Sequence, residues 1–72
     1  MELDLLVECT VKFLYLLIDQ YGAKKISYDF FVSNSEIKIE FLKNNINNIH
    51  SSEWKKNVRT LLKTYEKVSV RH

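Results

Sequence analysis

Few side chains in this 72-residue chain could do chemistry, and their spacing sets narrow bounds. A single cysteine, Cys9, and two histidines, His50 and His72, are the only soft or imidazole ligands. One thiol cannot close an internal disulfide, and this set falls short of the four ligands a structural zinc takes. No cofactor is therefore expected. Cys9 falls inside an apolar helical run, where a cysteine usually acts as a small hydrophobe. His50 beside Ser51 and Ser52 has the composition of a base next to a hydroxyl, but no acid completes a triad. Asp4 and Glu8 share a face at i, i+4, on a polar stripe where nothing would raise one carboxyl's pKa. Gly22 is the only glycine, so no glycine-rich phosphate cradle exists. The expectation is a protein that is not an enzyme and has no small-molecule substrate.

Two clusters point to binding instead. On the last helical segment, Lys56, Arg59, Lys63 and Lys67 project opposite the apolar face at about 100° per residue. Arg59, Lys63 and Lys67 are i, i+4 neighbours of like charge, which an anionic partner would relieve. This stripe is the candidate contact for nucleic acid or another anion, although a solvated helix back has the same composition. Net charge is +2, divided as −3 over residues 1–42 and +5 over residues 43–72. The second cluster lies in the first helix. Phe13 to Ile18 is an unbroken run of six apolar residues. After one broad face is assigned to a core, Leu5, Cys9, Phe13 and Leu16 remain, and contiguous apolar surface of that kind marks an interface. A chain this short buries only ~60% of its unfolded surface, so self-association is the expected aid to stability. The partners expected are a second copy of the chain and an unidentified protein, with an accessory or inhibitory role. Nucleic acid is the alternative partner.

The run Phe13–Ile18 is far below the ~20 residues of a membrane span, and Glu8, Lys12 and Asp19 bracket it with charge. The Met-Glu-Leu-Asp start has neither the basic residues nor the cleavage site of a secretory signal. A cytoplasmic address and no membrane contact are expected.

These residues require elements to position them. Leu3, Leu6, Val7, Thr10, Val11, Leu14, Leu17, Ile18 and Tyr21 recur on one face, giving a helix over about 3–21, with Gly22 placed for a left-handed cap. In "KISYDFFVSNSEIKIEF", apolar and polar residues alternate on both sides of Ser-Asn-Ser. That alternation predicts an antiparallel β-hairpin over about 25–42. A two-residue Asn34-Ser35 turn makes Tyr28, Phe30, Ile39 and Phe41 its buried face and leaves Asp29 and Lys38 wet. A loop over about 43–51 follows, with Ile46 and Ile49 pinned to the core. Trp54, Val58, Leu61, Leu62, Tyr65 and Val68 mark a second helix over about 52–68, capped by Ser51 or Ser52. The fold class expected is α+β, one small α-β-β-α domain in which the hairpin packs against the N-terminal and C-terminal helices.

Overall fold

The computed structural model describes residues 2–70. Its order is α1 (Leu3–Gly22), α2 (Tyr28–Asn45), a short 3₁₀ turn (Ile46–Asn48) and α3 (Ser52–Ser69). The hairpin is overturned: segment 28–45 is one helix, and no strand occurs among the described residues. The molecule is a small all-helical bundle, not an α+β domain.

The local reasons for α2 are legible once it is seen as a helix. Ser27 is extended, and its Oγ accepts from the Phe30 N–H at 3.1 Å, a standard N-cap arrangement. Asp29 sits in the first turn and Lys43 in the last, both favoured by the helix dipole. The supposed turn residues are helix interior. Asn34 Nδ2 donates to the Phe30 carbonyl at 2.8 Å. Ser35 Oγ donates to the Phe31 carbonyl at 2.7 Å, leaving its lone pairs for the Tyr65 hydroxyl at 2.9 Å. Ser35 is fully buried, so this hydroxyl pair satisfies the polar atoms at the α2–α3 contact.

The core takes Val7, Val11, Leu14 and Leu17 from α1, Phe31, Ile39 and Leu42 from α2, Ile49 from the connection, and Val58 and Leu61 from α3. The expected hairpin face is corrected with the fold. Phe31, which in a strand would share the wet face with Asp29, is 0% exposed, whereas Phe30 is 51% exposed. Ile39 is buried, and Tyr28 and Phe41 are half-buried. Phe31 stacks on Tyr21 with centroids 4.8 Å apart and meets Tyr65 at 5.5 Å, joining all three helices through one ring. Tyr28 Oη donates to the Ser69 carbonyl at 2.8 Å and holds the end of α3 against the start of α2.

The end of α1 also departs from expectation. Gly22 is the last helical residue, and the left-handed residue is Lys24, with φ 62°. The Lys25 N–H reaches the Gln20 carbonyl and the Lys24 N–H reaches the Tyr21 carbonyl. This bond pair is the Schellman closure, with Lys24 in the place usually held by glycine.

The start of α3 is fixed from two directions. Ser51 Oγ accepts from the Trp54 N–H at 3.2 Å. The Asp4 carboxylate, expected on a free polar stripe, accepts from the backbone N–H groups of His50 at 3.1 Å and Ser51 at 3.0 Å. It ties the first turn of α1 to the entry of α3. No helix among the described residues is long and apolar enough to cross a membrane.

Candidate binding face

Among the described residues, helix α1 is packed mainly on one side. Its buried positions turn toward α2 and α3, while Leu5, Cys9, Phe13 and Leu16 are exposed, Phe13 on the flank that borders α2. Leu5 is 51% and Leu16 55% exposed. The structure therefore brings the four apolar candidates onto one face. It adds Leu6, whose spacing assigned it to the core and which is exposed instead.

Helix α2 extends this face. Phe30 is half-exposed and Ile37 is 82% exposed, the most solvent-accessible large hydrophobic residue described. Leu6, Cys9, Thr10 and Phe13 of α1 and Asn34, Ile37 and Lys38 of α2 line a groove of about 600 Å³. Phe41 closes the end beside Leu6. Lys38 bends its ammonium over the Phe13 ring, 5.0 Å from the centroid, so the floor carries one cation. Lys38 was expected to stay wet and is half-buried. Beside the groove, Lys12 Nζ and Glu8 form an ion pair at 2.9 Å, and the carboxylate raises the Lys12 pKa by its hydrogen bond and its charge.

Reading α2 as strands concealed its half of the groove. The pattern that reveals it is Phe30, Asn34, Ile37 and Phe41, at spacings of four, three and four, which is one side of a helix.

The basic stripe is present as drawn from the sequence. Lys56, Arg59, Lys63 and Lys67 are all exposed, on the side of α3 away from buried Val58 and Leu61. They form a row of cations with no aromatic platform among them, because Trp54 and Tyr65 turn toward the core.

The groups with possible catalytic or ligating chemistry do not converge. Cys9 lies in the groove wall, and Ser51 Oγ serves as a helix cap. No cluster of three or more His, Cys, Asp or Glu that could hold a metal occurs among the described residues. His72 lies outside them. No protein-family model, curated protein or solved structure matches the chain.

Proposed function

We propose that the protein works by binding other proteins through the α1–α2 face, as a homodimeric accessory or inhibitory protein of the cytoplasm without catalysis of its own. One observation carries this reading. Leu5, Leu6, Phe13 and Leu16 of α1 and Phe30 and Ile37 of α2 are all exposed, on two adjacent helices. Scattered single hydrophobics on a surface are ordinary, but a contiguous set around a groove is typical of an interface. The exposed free thiol of Cys9 suits a reducing compartment.

The test is sedimentation velocity over a micromolar series, with F13E as the variant. Phe13 is 38% exposed and lies in the groove wall, so a glutamate there reaches solvent in a monomer and is trapped against apolar surface in a dimer. A wild-type dimer converted to a folded monomer by F13E supports the reading. A folded wild-type monomer at high micromolar concentration refutes the homodimer.

A second reading rests on the exposed row Lys56, Arg59, Lys63 and Lys67. In that reading α3 lies along a phosphate backbone, with affinity set by salt rather than by sequence. The absence of stacking residues from the row makes it the weaker of the two.

A further inference from the structure

The exposed side of α1 carries more than apolar bulk. Glu2, Leu6, Cys9, Phe13, Leu16 and Gln20 follow one another at spacings of four, three, four, three and four. That 3.5-residue repeat is the seam a helix presents to another helix packed along it at a shallow angle. The opposite side of α1 carries its own such seam, occupied by α2 and α3. Helix α1 is thus built to be flanked on both sides, and the described residues fill only one of them.

Resting on the homodimer reading above, we infer that a second copy of α1 fills the open seam, running antiparallel, with the twofold axis crossing at the level of Val11. The seam is self-complementary about that point. Glu2 faces Gln20 of the other copy, a carboxylate opposite an amide donor. Leu6 faces Leu16, and the small Cys9 faces the large Phe13. Each pairing occurs twice, as an isologous contact requires. A parallel pairing would set Glu2 against Glu2 and Phe13 against Phe13, and would leave a gap between two cysteines. Exposed Ile37 and Phe30 of α2 flank the seam and extend the contact. The ~800 Å² per partner of a standard interface is about one sixth of the 5082 Å² of accessible surface.

The register is tested by complementation. Loss of one interfacial leucine weakens association about tenfold, and the axis counts it twice. L6K alone and L16E alone therefore each raise the dimer dissociation constant roughly 100-fold. Mixing the two variants restores a heterodimer, because the lysine of one chain faces the glutamate of the other while Leu16 and Leu6 meet at the second site. Circular dichroism confirms that each single variant is folded. Oxidation with diamide gives an independent readout: F13C, which adds a thiol facing Cys9 of the other copy, cross-links into dimers, whereas the wild type does not. In the antiparallel pairing the two native thiols are offset by about 6 Å along the helices. A wild-type dimer that is not recovered by mixing, or that cross-links through Cys9 alone, overturns the antiparallel register and leaves the homodimer standing. A wild-type monomer overturns both.

Discussion

Truncating either of two adjacent phenylalanines to alanine separates a helix from a hairpin at residues 28–45 in one pair of measurements. Phe31 is 0% exposed, with its ring stacked on Tyr21 at 4.8 Å and tilted against Tyr65 at 5.5 Å. Removing a fully buried phenylalanine costs about 3–5 kcal/mol. The two aromatic contacts, each worth about 0.5–1.5 kcal/mol beyond burial, place F31A toward the top of that range. A chain of this length has a total stability of about 4–11 kcal/mol. F31A therefore removes much or all of it. Phe30 is half-exposed within the chain, and alanine is the better helix former by about 0.5 kcal/mol, so F30A shifts the stability of the single chain by less than about 1 kcal/mol. Urea melts followed by far-ultraviolet circular dichroism provide the assay, with both substitutions made in the monomeric F13E background so that loss of the dimer contact at Phe30 does not enter. If F30A destabilises more than F31A, helix α2 does not turn Phe31 into the core and the packing described for it is wrong.

Four further perturbations test the helix ends and the basic row. G22A should stabilise by about 0.5–1 kcal/mol, since a Cβ at Gly22 meets nothing within 4 Å and the residue is helical. K24G should also stabilise, by roughly 0.5 kcal/mol, by relieving the left-handed Lys24; a gain from neither in thermal melts would place the cap elsewhere. D4A removes the acceptor for His50 and Ser51 and should cost about 1–2 kcal/mol, with faster amide exchange at Ser51; unchanged exchange there would refute the clamp. Replacing Lys56, Arg59, Lys63 and Lys67 by glutamine should leave stability equal or slightly higher, as the i, i+4 repulsion is gone. If the row neutralises phosphates, the same change should flatten the salt dependence of nucleic-acid affinity, by about one unit of slope for each phosphate it had paired. A wild type with no such affinity at low salt removes the second reading.

Helices α1 and α3 follow from residue order alone. Each has a continuous apolar face with a 3.6-residue period, and Ser51 stands at the cap of α3. The surplus apolar side of α1 was equally legible, because Leu5, Cys9, Phe13 and Leu16 exceed what a single core face needs. Helix α2 was settled by packing between helices instead. Residues two apart on a helix lie about 200° apart, so a helix with apolar residues on opposite sides mimics the alternation of a strand. Ile37 points into the groove and Ile39 into the core, and the polar residue between them completes the imitation. The helical stripe itself is interrupted by Ser35, a hydroxyl at a core position. Its burial is tolerable because the Phe31 carbonyl and Tyr65, thirty residues away, satisfy it. Local periodicity carries no information about a partner that distant, nor about Asp4 reaching forty-six residues along the chain to the entry of α3.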